Sequence, residues 1–229
     1  WAQSQELDFI KIASMDHTNL PFLRSLVNNV STPILISFGM AELADIDAAV
    51  DILSAHRPGL AIFHCVAIYP PNSDELRLSN IDYLCRRYDV PVGFSDHTLG
   101  MGSSITAVAL GGKLIEKHIK LENEKKSVDA FFSMGPKDFK KMVNEIRIAE
   151  KAIGGKTFKI DKKTKRALSG RRSLFACKDI KKGEKINKDN IKSVRPFTGL
   201  HPKYLKKILG KKAKKSLPYG KPLKLGDFN

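Results

Sequence analysis

The chain has 229 residues, 42% of them hydrophobic, with 40 Lys and Arg against 24 Asp and Glu, a formal net charge of +16. That apolar share suffices for the core of one large domain or of one medium and one small domain, but no apolar run reaches the roughly 18 residues of a membrane-spanning helix. The charge suggests nucleic acid, yet residues 1–156 carry 17 basic against 19 acidic residues and residues 157–229 carry 23 against 5, so the basic character belongs to the tail.

Phe9 to Ala13 predicts a short strand ending at Ser14, with Lys11 inside it. Pro21 to Asn28 predicts a helix with proline in its first turn, where the missing N–H costs little. Pro33 to Ile36 is the next strand and runs out into Ser37. Ala41 to His56 has Leu43, Ile46, Ala49, Val50 and Leu53 at helical spacing. Leu60 to Cys65 is a third strand, followed by the turn-rich Tyr69-Pro70-Pro71-Asn72-Ser73, and Ile81 to Tyr88 is a third helix. Val92 to Phe94 leads into Ser95, Asp96 and His97. Ser103 to Leu110 is small and apolar and reads as a crossover helix stopped by Gly111-Gly112. Leu114 and Ile115 lead into Glu116 and His118, and Pro136 to Ala152 is an amphipathic helix.

Strand followed by helix, five times over, predicts a parallel sheet of the α/β class. Each strand ends in polar residues, and such folds place their sites at the carboxyl ends of the strands. Five units are too few to close an eight-stranded barrel, so the sheet is either open or the part of a barrel that this chain carries. A start at Trp1, with no signal-peptide pattern, is expected to be a cut one.

Residues 153–170 are rich in glycine and lysine and read as a linker between a domain at 1–152 and one at 171–229. From Arg171 the texture is short strands and turns: Ser173 to Ala176, a turn at Asp179 to Glu184, a strand through Ser193 and Val194, and Leu217 to Leu225. Cys65, Cys85 and Cys177 are odd in number and widely spaced, with no zinc-site pattern, as expected of reduced thiols in a cytoplasmic protein.

The candidate chemistry sits on the fourth and fifth strands. Side chains alternate along a strand, so Ser95 shares a face with His97, and Glu116 with His118. Adjacent parallel strands lie about 4.8 Å apart, so two histidines at matching heights are placed to chelate one divalent ion. Lys11 in an apolar strand is costly to bury unpaired, which calls for an anionic partner. His64 and Cys65 read as core and strand end rather than ligands.

Five stretches, K-I-A-S (11–14), H-C-V-A-I-Y-P (64–70), F-S-D-H-T (94–98), E-K-H (116–118) and R-P-F-T-G-L-H-P-K-Y-L (195–205), resemble in order and register the sialic acid synthase family. The resemblance implies a TIM barrel, incomplete here with about five strand–helix units, followed by a small β-rich SAF (antifreeze-like) domain that caps the partner's barrel in a domain-swapped homodimer. It implies condensation of phosphoenolpyruvate with an N-acetylated hexosamine such as N-acetylmannosamine to give a nonulosonic acid such as N-acetylneuraminate, with Mn²⁺ or Mg²⁺ polarising the aldehyde. Position by position, His97 and His118 match the metal ligands. Lys11, Ser14, Ser37 and Ser95 match the phosphoenolpyruvate contacts. Asp16, Tyr69 and Asp129 match the sugar-side groups, and Arg195 the residue sent into the partner's site. Glu116 is expected to orient the metal or its water.

Three departures stand out: Ala67 replaces an Asn, Ser127-Val128-Asp129 replaces a Pro-Gly-Pro-Asp loop, and three barrel strands with their Glu, Lys and Thr or Ser are not in this chain. The rival reading is a non-catalytic remnant serving as an assembly or carbohydrate-binding module. The lysine runs at 162–166 and 206–215 are expected to form a solvated face, with an electrostatic funnel for the anionic substrate as the functional alternative. A nucleic-acid surface comes third, because interleaved aromatics are lacking.

Overall fold

The computed structural model describes residues 6–229 and separates into two compact units, Trp1–Gly155 and Lys156–Asn229. In the first unit five strands lie in sequence order in one fully parallel sheet: β1 (Ile10–Ile12), β2 (Ile34–Phe38), β3 (Leu60–Cys65), β4 (Val92–Asp96) and β5 (Leu114–Lys117). Helices α1 (Leu20–Asn29), α2 (Leu43–Leu53), α3 (Ser79–Arg87) and α4 (Gly102–Ala109) make the crossovers, and α5 (Pro136–Ile153) follows β5. This is the parallel α/β sheet the alternation predicts and the partial TIM barrel the resemblance implies.

Local chemistry places the helix ends. Asn19 accepts a hydrogen bond from the Phe22 backbone to start α1 ahead of Pro21. Glu42 and Asp45 form a reciprocal capping box on α2. After α4, Gly111 adopts a φ of 105°, a region open to glycine, and a Cβ on Gly112 would lie 2.9 Å from the Ala107 carbonyl oxygen.

Strand alternation then sorts the residues. Ile12, Ile34, Ile36, Phe38, Ile62, Val92 and Phe94 pack with Leu23, Leu53, Ile81, Leu84 and Ala107 of the helices in one buried core. Each such side chain contributes about 1.5–3 kcal/mol on burial. The residues between them, Lys11, Leu35, Ser37, Phe63, Cys65, Gly93, Ser95 and Glu116, therefore share the opposite, inner face. The same alternation that builds the core thus delivers Lys11, Ser37, Ser95 and Glu116 to one surface, and turns Asp96 and Lys117 to the other.

The second unit holds α6 (Lys162–Ala167), the antiparallel pair β6 (Ser173–Ala176) and β7 (Ile191–Val194), and α7 (Leu205–Ile208). Its core gathers Leu174, Ile180, Ile186, Ile208, Leu217 and Leu223. Buried Ser173 donates to Pro196 O and accepts from the Thr198 and Gly199 amides, pinning the loop that carries Arg195. Leu217 and Pro222 make only isolated bridges, to Ile180 and Phe175. The segment expected to be a linker is corrected in part: residues 162–167 are helical because Asp161 caps the first turn, its carboxylate accepting from Thr164 N at 2.6 Å. Lys162, Lys163, Lys165, Lys206, Lys207, Lys212, Lys214 and Lys215 are all exposed, the solvated arrangement expected of the lysine runs.

Gly93 is required on the inner face. A Cβ there would sit 2.6 Å from the Phe63 ring and 2.9 Å from Leu114 Cβ. Gly93→Ala is expected to lower the unfolding free energy by about 1–3 kcal/mol, read as a fall in the urea midpoint with unchanged denaturant slope.

Candidate active site

The site begins with strand register. Ser95 pairs with Glu116 and Asp96 with Lys117 across β4 and β5, so the next residues out, His97 and His118, emerge side by side. Their ring centroids are 5.3 Å apart with planes at 74°. At that separation each ring can offer one nitrogen to a common ion, because metal–nitrogen bonds are about 2.0–2.1 Å.

His97 is buried, and its Nδ1 donates to Val66 O at 2.9 Å. That bond leaves Nε2 as the bare acceptor. Burial pushes its pKa below the ordinary value, the backbone bond opposes this, and His118 adds to the lowering, so the ring is held neutral as a ligand must be. His118 places Nδ1 3.4 Å from Asp129 Oδ2. Tyr69 packs on His97 at 4.2 Å between centroids and Phe132 on His118 at 4.7 Å. Phe132 is buried and Tyr69 half exposed, so two aromatic rings wall the pair of imidazoles.

One layer down, Ser95 donates to Glu116 Oε1 at 2.6 Å, and Lys11 Nζ stands 3.4 Å from Glu116 Oε2. Lys11 also donates to Ser37 Oγ at 2.8 Å and to Ile12 O at 3.2 Å. The carboxylate expected to serve the metal is thus turned toward Lys11 and Ser95, and the anionic partner that Lys11 requires is supplied within the chain. Ser14 Oγ accepts from Gly39 N at 2.9 Å, where a glycine Cβ would come within 2.8 Å of that same oxygen. The backbone of β2 can therefore approach Ser14 only without a side chain.

Direct contacts therefore join these residues in two groups, Lys11, Ser37, Ser95 and Glu116 in one and His97, His118, Tyr69 and Asp129 in the other, while Ser14 is held by Gly39. Asp16 is exposed in the turn Ser14–Asp16 that follows β1. Arg195 belongs to the second unit and is exposed just past β7. Two inner-face residues escape the sequence reading. Phe132 carries no motif of its own. The Cys65 thiol, beside Ser14 and Ser95, has its pKa raised by burial, and strand alternation with Ser95 was the signal that could have placed it.

Among the described residues no group of three or more His, Cys, Asp or Glu side chains could hold a metal ion. The protein's own donors are two imidazoles, and a divalent ion would complete its shell with water or substrate oxygens. A cavity of about 690 Å³ adjoins these residues through Gly39, Cys65 and Val66, and is lined further by Phe38, His64 and Arg77. His64 there donates to Leu76 O at 2.7 Å and is held neutral chiefly by burial.

The fold is a parallel α/β half-barrel whose adjacent strand ends present two imidazoles beside a lysine and three serines. Residues 1–158 match the NeuB family and residues 171–229 the SAF domain, and the chain belongs to the NeuB family. It is 39% identical to the pseudaminic acid synthase of Campylobacter jejuni, over 95% of this chain and 64% of that one. It is 36% identical to the N,N'-diacetyllegionaminic acid synthase of the same species, over 92% and 64%. It is 31% identical to human N-acetylneuraminate-9-phosphate synthase, over 65% and 42%. Among solved structures it superposes on a putative spore coat polysaccharide biosynthesis protein E from Chromobacterium violaceum with a TM-score of 0.70 at 27% identity, covering 97% of this chain and 68% of that one. The chain thus spans 64% of the length of the two Campylobacter relatives.

Neutral His64 and His97 make stability acid-sensitive. Their folded pKa values lie below the unfolded value of about 6.5, so the stability they contribute is complete above about pH 6.5. It is lost as pH falls, because the unfolded chain takes up protons first. Unfolding free energy measured from pH 7 to 5 is expected to decline, and His64→Gln, which keeps a donor for Leu76 O without titrating, is expected to flatten that decline.

Proposed function

We propose that this chain carries the phosphoenolpyruvate- and metal-binding face of a cytoplasmic nonulosonic acid synthase. Phosphoenolpyruvate is condensed with the open-chain aldehyde of an N-acetylated hexosamine. C3 of phosphoenolpyruvate bonds to the aldehyde carbon, water adds to C2, and the C2–O bond to phosphate breaks, leaving an α-keto acid. The observation that carries this reading is the pairing of His97 with His118 directly above the Lys11–Ser37–Ser95–Glu116 network. The same relatives favour a pseudaminate- or legionaminate-type product alongside N-acetylneuraminate.

Each residue has a task. His97 and His118 would hold Mn²⁺ or Mg²⁺ through Nε2, and the ion supplies a Lewis acid for the sugar aldehyde. Lys11 offers an ammonium to the anionic phosphate or carboxylate. Ser37 and Ser14 already accept one hydrogen bond each, which leaves their hydroxyl protons free to donate to the same anion. Ser95 is steered by Glu116. Asp129 orients His118 and, with Asp16 and Tyr69, faces the sugar. Tyr69 and Phe132 limit water around the imidazoles, which strengthens electrostatic contacts in the site. Arg195 is supplied by a second copy of the chain in a swapped dimer and adds positive charge.

Phosphate release is the test. It is followed with phosphoenolpyruvate, Mn²⁺ and a panel of N-acetylated hexosamines, on this chain and on the longest polypeptide its reading frame encodes. Metal-dependent release is expected, and His97→Ala or His118→Ala is expected to cut it by more than about 100-fold, beyond the 10–100-fold typical of outer-shell changes. A fully active His118→Ala variant, or activity indifferent to chelator, sinks the assignment.

A further inference from the structure

Behind the two imidazoles, on the other side of the sheet, lies a charged cluster that the reaction does not use. Asp96 and Lys117 are register partners, each one residue before a histidine, so their side chains point away from the inner face. Their side chains are 0% and 1% exposed, and Lys117 Nζ is 3.0 Å from Asp96 Oδ2. Lys117 also donates to Thr98 O at 2.7 Å. Asp96 Oδ1 accepts from the Thr98 amide at 2.8 Å and the Thr98 hydroxyl at 2.7 Å. Its Oδ2 accepts from Ser103 at 2.8 Å and Ser104 at 2.5 Å.

Stability alone is a poor reason for this arrangement. A buried ion pair roughly cancels its own desolvation cost, and well-packed apolar replacements are often as stable. What the pair does supply is fixed geometry. Asp96 and Thr98 flank His97 and are tied to each other. Lys117, which immediately precedes His118, is tied to both. Sliding β5 along β4 by a residue would break both Lys117 contacts, to Asp96 and to Thr98 O, and separate the imidazoles. The Ser103 and Ser104 bonds extend the clamp to the first turn of α4.

We propose that the Asp96–Lys117 pair is the positioning device for His97 and His118, holding the two strand ends so that both rings meet one ion. The pair touches neither ion nor substrate. This deepens the reading above and rests on it for its purpose, though not for its geometry.

The test uses the whole chain. Asp96→Asn combined with Lys117→Met removes both charges at similar size and leaves no unpaired buried charge. Ser104→Ala removes a single donor and gives a milder second variant. Leu53→Ala, in the core on α2, is the control for simple destabilisation. Two readings are taken: the ring resonances of the metal-free histidines by ¹⁵N NMR, and Mn²⁺ affinity by calorimetry.

In the double variant the single sets of His97 and His118 signals are expected to split or broaden, and the Mn²⁺ dissociation constant to rise about 10–100-fold. Ser104→Ala is expected to raise it about 2–5-fold. Leu53→Ala should lower the melting temperature and change neither reading. Wild-type ring signals in either folded substitution overturn the proposal. A wild-type chain that binds no Mn²⁺, while the variants still disturb the rings, leaves the positioning role standing and removes the metal from the proposed function.

Discussion

Everything on the inner face depends on the register between β4 and β5. Parallel strands repeat their side-chain orientation every two residues, so a one-residue slip would turn Ser95 and His97 toward the helices and Asp96 toward the open face. The observed pairing does the reverse. It seats Ser95 against Glu116, sets His97 edge-on beside His118, and leaves Asp96 and Lys117 to meet in the interior. Two faces of one strand pair are thus solved at once, and the polar cluster on the far side is what makes the alternative registers expensive. A buried Lys117 pulled away from Asp96 and Thr98 O would cost several kcal/mol.

The walls of the site come from less regular chain. Tyr69 lies in the turn after β3 and Phe132 in the loop between β5 and α5, yet their rings stand 5.5 Å apart and close together on the two imidazoles. Val66, also after β3, fixes the His97 tautomer through its carbonyl. Strand ends therefore supply the two imidazoles, and neighbouring loops set the ring orientation. That division is usual in barrels, where a rigid sheet carries the chemistry and loops adjust its surroundings.

Most of this was legible in the residue order. Each strand is a short apolar run ended by polar residues, and α1, α2, α4 and α5 carry capping or stopping signals, so element identity followed with small errors at the ends. The shared faces of Ser95 with His97 and Glu116 with His118 followed from period two. What local pattern could not show was pairing at a distance. Nothing in the sequence around Lys11 says that its carboxylate partner lies more than a hundred residues on, at Glu116. Phe132 sits in a segment with no periodicity. Residues 162–167 escaped because they have no apolar stripe: the helix is lysine-rich and exposed, and a single Asp161 cap starts it. Asp96 and Lys117 were visible as letters inside recognisable motifs, but their alternation with the histidines was read for the inner face alone.

Charge shows why the chain's net +16 says little about the chemistry. The surplus lies on exposed lysines of the second unit, while the inner face of the first is close to balanced. Lys11 is matched by Glu116, His97 is neutral, and Asp129 stands beside His118. Phosphoenolpyruvate brings a carboxylate and a phosphate of about −1.5 to −2 charge. Against that load a single lysine already shared with a carboxylate is too little, because each partly desolvated anion needs its own counter-charge. The proposed reaction therefore requires positive charge from beyond these strands: a divalent cation between the imidazoles, and further cations such as Arg195 brought by a second copy. Glu116 then has a role consistent with its geometry. It holds Lys11 and Ser95 in place, and in the proposed reaction the incoming anion would compete for the ammonium that Glu116 keeps oriented.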